Sequence, residues 1–280
     1  MPGAGNPGEL TLFLAGDAMI TAPWSQVEDP RFLKLVAEMR SADATIINLE
    51  TVIHEFKGHA QPESGGTHMA SPPEIAGQLR WAGVDMVSAA NNHSFDYGSG
   101  GILETVEHAR RAGLILAGIG EDLQAARRPA YFDAAGSRIG LIAMAASYIP
   151  YGRASRSRPD MRGRPGLNPL NLTTSRTFTV SPSMFRRLAV FGKLSESRPI
   201  AGEKILRLSG ISFREGDADE LGRGKRIYKA DKLANLRAIQ ESAAGSRVTV
   251  VAIHYHGEKS WLRAFARRAL MQGADIVHVH

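Results

Sequence analysis

Short apolar runs that end in small or polar residues recur along this chain, and they set the expected fold. Residues 10–15 form one such run, closed by Gly16 and Asp17, and residues 45–48 form a second that leads into Leu49 and Glu50. Residues 84–89 make a third; Asn91, Asn92 and His93 arrive together after it, with Asp96 three positions on. Residues 114–117 make a fourth, and Gly118, Ile119 and Gly120 after it read as a turn, because the third glycine of a dinucleotide fingerprint is missing. Runs of this length bounded by turn residues are the signature of buried strands. Between them the apolar spacing turns helical over residues 24–39, over 72–82 with its paired prolines at the start, and over 101–111.

Strict alternation of strand and helix breaks at residues 129–145. Two apolar stretches, 129–133 and 138–145, are joined there by Ala135, Gly136 and Ser137, which predicts a β-hairpin and with it a mixed sheet or a second sheet packed on the first. From Tyr148 to about Arg198 regular periodicity fades into Pro, Gly, Arg and Ser, as in a long insertion. Helical spacing returns over residues 229–242, and a β-branched strand over 247–253 delivers His254, Tyr255, His256, Gly257 and Glu258. A basic helix over 262–271 then leads to residues 274–277 and to His278, Val279 and His280. The fold class expected is α/β.

Ligands of open α/β sheets sit beyond the carboxyl ends of the strands. The strand tips here carry Asp17, Glu50, Asn92 with His93, His254 and His280. Carboxylates, an amide and imidazoles gathered at one sheet edge would suit a divalent cation: Mn, Fe, Zn or Mg. His54, His59 and His68 fall at no strand end and at no helical spacing from another ligand, so they read as surface loop residues.

The 280 residues suffice for one large domain, and the absence of cysteine excludes disulfides, thiolate zinc sites and cysteine nucleophiles. A net charge of +6 is unevenly spread. Arg153, Arg156, Arg158, Arg162, Arg164, Arg176, Arg186, Arg187, Lys193 and Arg198 crowd one region, a field suited to an anionic partner. Nucleic acid is not favoured, since no aromatic residues are interleaved with these charges. No apolar run reaches 18 residues, so no membrane anchor is expected in the chain and a cytoplasmic location is. Residues 1–8 read as a disordered Gly/Pro tail.

Taken in order, Gly16-Asp17, Asn48-Leu49-Glu50-Thr51, Ser71-Pro72-Pro73, Ala90-Asn91-Asn92-His93, Asp96-Tyr97-Gly98, His254 with Gly257-Glu258, and Gly273-Ala274-Asp275 before His280 resemble the poly-gamma-glutamate capsule-synthesis (CapA-type) family of the metallophosphatase-like superfamily. The resemblance implies a single domain over 9–280, with a basic insertion at about 150–228, built as two mixed β-sheets packed in a sandwich and flanked by helices. It also implies that Asp17 serves one metal, that Glu50 bridges, and that Asn92, His254 and His280 hold a second. His93 would act on the leaving group, with Asp96 as its candidate catalytic companion. Met19 stands where the phosphatase pattern has a histidine, and the pattern needs a further histidine just beyond His280, so the sequence reads as C-terminally truncated and one tight metal site is expected rather than two.

The function so implied is a soluble, metal-dependent enzyme acting by hydrolysis or transfer on a peptide-like or polyglutamate-like anionic substrate. Arg162, Arg164, Tyr255 and Glu258 are the candidate substrate contacts. Three alternatives stay open: a cofactor-free peptide epimerase, a phosphoesterase, which Met19 disfavours, and a non-catalytic binding module that uses the basic face. The sequence does not fix the oligomeric state.

Overall fold

The computed structural model describes residues 9–64, 66–192, 205–208, 211–216, 220–257 and 260–280. The expected tail at residues 1–8 and the candidate contact Glu258 lie outside them. In chain order come β1 (Leu12–Ala18), α1 (Pro30–Ser41), β2 (Ala44–Leu49), β3 (Val52–Ile53), β4 (Ala70–Ser71), α2 (Glu74–Trp81), β5 (Met86–Ser88) and α3 (Gly98–Arg111). Next are β6 (Ile115–Ala117), β7 (Ile119–Gly120), α4 (Leu123–Arg127), β8 (Ala130–Ala134), β9 (Ser137–Ala145) and β10 (Gly166–Leu167). Then follow β11 (Leu172–Val180), α5 (Pro182–Gly192), β12 (Ile205–Leu208), β13 (Ile211–Glu215) and β14 (Glu220–Ile227). The chain closes with α6 (Lys229–Gly245), β15 (Val248–His254), α7 (Ser260–Met271) and β16 (Ile276–Val279).

Among the described residues two compact units result, one of residues 9–170 with 229–280 and the other within 171–228. The larger unit holds two four-stranded sheets, ordered β1-β2-β5-β6 and β16-β15-β9-β8. Every pairing in the first sheet is parallel; within these two sheets antiparallel pairing is confined to the expected hairpin, which puts β8 on the edge of the second. Alternation along the strands sorts the core. Ile46 and Met86 from one sheet meet Leu141, Ala143, Val250 and Ala252 from the other in a shared interior, whereas Ile47, Leu49 and Val87 turn outward against Val36, Ile75, Leu79 and Ala109 of the helices. The larger unit is thus an α/β sandwich flanked by helices.

Three local departures from sequence expectation have visible causes. The first helix starts at Pro30 instead of residue 24, because the Asp29 carboxylate accepts from the Arg31 amide and caps it, while the Trp24 indole donates to the Gln78 carbonyl from a turn. Gly118 to Gly120 is no turn: Ile119 and Gly120 form β7, paired antiparallel with β10. Within the stretch of faded periodicity, β11 and α5 are regular elements. That smaller unit is a four-stranded sheet ordered β12-β13-β11-β14, with Phe178 stacked on its register partner Phe213.

Gly118 marks a close approach inside the sandwich. Its φ is +99°, and a β-carbon there would meet the Ala90 and Ala143 methyls at 2.7 and 2.8 Å. Gly118→Ala is therefore expected to destabilise the protein by roughly 2–4 kcal/mol, combining overpacking with the left-handed backbone penalty. A fall in the urea midpoint with unchanged slope would show it.

Candidate metal centre

The interior rows of the sandwich are apolar until the strands end, and there they turn polar. On β2 the inward series Ala44 and Ile46 continues as Asn48 and then Glu50; on β15 Val250 and Ala252 continue as His254; on β16 Ile276 continues as His278 and His280. β1 reaches the same interior by a different device. Leu14 pairs with Ile46 but Asp17 pairs with Asn48, three residues against two, and this bulge turns Asp17 onto the inward face that Gly16 would otherwise occupy.

The loop after β5 supplies the rest. Asn91 is fully buried; its amide donates to the Leu49 carbonyl and to Asn48 Oδ1, and its own Oδ1 accepts from the His93 amide and the Ser94 hydroxyl. So clamped, the loop presents Asn92 and His93 to the end of β15. His254 is completely buried and is faced on both ring nitrogens. Its Nδ1 lies 3.3 Å from His280 Nδ1 and 4.0 Å from Asp17 Oδ1, and its Nε2 lies 2.5 Å from Asn92 Oδ1 and 3.7 Å from Glu50 Oε1. His280 Nδ1 is 3.5 Å from Asp17 Oδ1, which also accepts from the Asn48 amide at 2.8 Å.

Two overlapping groups could thus hold a cation: Asp17, His254 and His280, and Glu50, His254 and His256. His256 was missed as a ligand in the sequence, although its spacing of two from His254 is the period that keeps residues on one face. His280 faces the Nδ1 edge of His254 together with Asp17, while Glu50 and Asn92 face the Nε2 edge.

The electrostatics are those of a donor set with cationic valency to fill. Burial pushes His254 down to about 3, helped by His280 and His256, and burial likewise takes His280 to about 4, so both imidazoles are neutral with a lone pair to share. Burial raises Glu50 to about 7, and the neighbouring Asp17 adds to the rise. Burial opposes ionisation of Asp17 too, but hydrogen bonds to Asn48 and Glu50 and the nearby imidazoles hold its carboxyl below the ordinary value. Glu50 Oε2 is buried without a hydrogen-bond partner, the kind of orphaned acceptor a cation would satisfy. The residues present fit a metal site of oxygen and nitrogen donors.

Beside this set, His93 Nδ1 and Asp96 Oδ2 are 2.8 Å apart, and Asp96 Oδ2 also accepts from the Met69 amide. That hydrogen bond raises the His93 pKa against its burial. His93 Nε2 lies 4.0 Å from Glu50 Oε1.

Other candidates stand further off. Arg164 is exposed, donates to the Arg153 carbonyl and lies over the Phe95 ring, while Arg162 is exposed. Tyr255 is buried edge-on against Trp261. His54 corrects the reading of a surface loop residue. It is 1% exposed, sits 4.0 Å from the Tyr97 ring centroid and accepts the Phe56 amide on Nδ1.

The family model described as bacterial capsule synthesis protein PGA_cap matches residues 11–280. The chain belongs to this family. An uncharacterized protein of Sinorhizobium fredii is 30% identical over 280 residues, which cover 95% of this chain and 59% of that relative. The capsule biosynthesis protein CapA of Bacillus anthracis is 24% identical over 58% of this chain and 40% of its own length. A probable polyglutamine synthesis accessory protein of Mycobacterium tuberculosis is 34% identical over 47% of this chain and 34% of its own. Among the described residues, no helix is long and apolar enough to cross a membrane.

Proposed function

We propose that this PGA_cap-family chain carries the centre of a metal-dependent enzyme that hydrolyses or transfers a peptide-like or polyglutamate-like anionic substrate. The observation that carries the reading is the meeting of the two donor groups with the His93–Asp96 pair at one edge of the sandwich. Asp17 and His280 would hold a cation on the Nδ1 side of His254; Glu50, Asn92 and His256 would do so on the Nε2 side. A bound divalent cation supplies Lewis acidity toward a carbonyl or phosphoryl oxygen and toward water. Asp96 fixes the His93 ring through Nδ1, leaving Nε2 facing Glu50 and free to deliver a proton to a leaving nitrogen. Asn48, donating to Asp17, and Asn91, tying the loop to β2, hold the donors in place before substrate arrives. The names of the bacillary and mycobacterial relatives, capsule biosynthesis and polyglutamine synthesis accessory, are compatible with a polymeric peptide-like substrate, and the exposed Arg162 and Arg164 would attract it if it is a polyanion.

Product analysis on γ-glutamyl oligopeptides tests this reading. Cleavage or transfer that stops on chelation and returns with added Mn, Zn, Fe or Mg is the expected result. Solvent deuterium entering an uncleaved peptide would move the assignment to the epimerase, and metal-independent binding without turnover would replace the enzyme with a binding module.

A further inference from the structure

A second site lies within the larger unit, and none of its lining residues belongs to the metal centre. A cavity of about 400 Å³ opens between α4, the residues around Arg156 and one face of α6. Ala234, Arg237, Ala238 and Glu241 line it along α6 at the three- and four-residue spacing of one helical stripe, and the two alanines leave the room. The opposite wall brings Arg127 and Arg128 from the end of α4.

Four arginines against one glutamate is a strong local imbalance, and they are not equivalent. Arg127 is anchored: its Nε donates to Asn168 Oδ1 at 3.1 Å and its Nη2 to Asp231 at 3.2 Å, with only 11% of its side chain exposed. Burial lowers its pKa and the nearby Arg156 charge lowers it further, while Asp231 opposes both. Arg128, Arg156 and Arg237 are exposed and make no ion pair among the described residues. One fixed and three adjustable guanidinium groups thus converge on a volume typical of small-molecule sites; Asp231 offsets Arg127, Asp122 lies within electrostatic reach of Arg128, and Glu241 is the one carboxylate in the lining.

We infer that this cavity binds a small ligand bearing two or more oxyanion groups, phosphates or carboxylates. Arg127 forms the fixed floor of the site, and Arg128, Arg156 and Arg237 close on the oxygens in the paired geometry that guanidinium favours. Ala234 and Ala238 accept the carbon skeleton, and Glu241 takes a hydrogen-bond donor at its far end.

Calorimetric titration of the metal-stripped full chain with inorganic pyrophosphate and, separately, with citrate tests the site. The same titrations are run on His254→Ala, on the double variant Arg156→Glu/Arg237→Glu, and on Arg31→Glu, a cation remote in sequence from the cavity wall. The expected result is that at least one probe binds, that His254→Ala binds it as the parent does, and that the double variant loses at least about ten-fold in affinity at an unchanged thermal midpoint. Preference for pyrophosphate identifies a phosphate ligand and preference for citrate a carboxylate one. Arg128→Gln, which removes one exposed charge without reversing it, reads the same loss at about three-fold if the double variant unfolds. The site is overturned if neither probe binds, if the double variant binds as the parent does, if Arg31→Glu weakens binding equally, or if only His254→Ala abolishes it. The His254→Ala arm also separates this site from the proposed catalytic function, since failure of either leaves the other standing.

Discussion

His254→Ala should leave a folded protein that no longer retains metal. Among the described residues His254 is the member common to both donor groups, with Asp17 and His280 across one ring nitrogen and Glu50 and Asn92 across the other. Outer-shell partners of metal ligands are worth roughly 10- to 100-fold in affinity, so a direct ligand common to both groups should cost more than about 100-fold. Elemental analysis after gel filtration would find about one equivalent of transition metal in the parent and near-background content in the variant, the contrast that so large an affinity loss predicts. The fold should survive, because truncation relieves a buried imidazole that ionises only near 3 and that faces a second ring nitrogen at 3.3 Å. Equal metal content in the two proteins would remove His254 from the centre, and with it the proposed enzyme.

Sequence made the strand tips legible because a buried parallel strand is an unbroken apolar run, and the first polar residue after it lands at the carboxyl edge. Glu50, Asn92, His254 and His280 were visible in that way. Their division into sides was not, since it depends on which ring nitrogen of His254 each one meets. Asp17 was visible as a strand end, but its inward direction is the work of a bulge that replaces one residue by two, and nothing between Leu14 and Asp17 signals an insertion except a permissive Gly16. His256 escaped notice because it lies two residues past the strand, although the alternation of β15 still holds there. His54 differs for the opposite reason: a polar, Gly-rich neighbourhood suggests exposure, yet Phe56 two residues on and the sequence-distant Tyr97 pack against the ring. The strand Leu172–Val180 was hidden by threonines at positions where apolar residues would have announced it.

The His93→Ala variant is expected to keep its metal and lose its chemistry. His93 stands outside both donor groups, 4.0 Å from Glu50, so the ligands remain when its ring is removed. A positioned general acid contributes about 10²–10⁴-fold to a rate, and the loss should fall on kcat with KM little changed, because the proton is needed only as the leaving group departs. Asp96→Asn should show a smaller loss of the same kind. Asp96 touches the ring and not the substrate, and an amide in its place still accepts from the Met69 amide but no longer favours the protonated imidazole. The pair therefore separates catalysis from scaffolding: metal content holds in both variants while the rate falls in the order parent, Asp96→Asn, His93→Ala. The binding-module alternative requires the reverse. There, His93→Ala would leave function intact, and reversing the exposed charges of Arg162 and Arg164 would abolish it. Partner capture and peptide turnover, measured on the parent, on His93→Ala, on Asp96→Asn and on the charge-reversed Arg162→Glu/Arg164→Glu, decide between a centre that moves protons and a surface that only holds an anion.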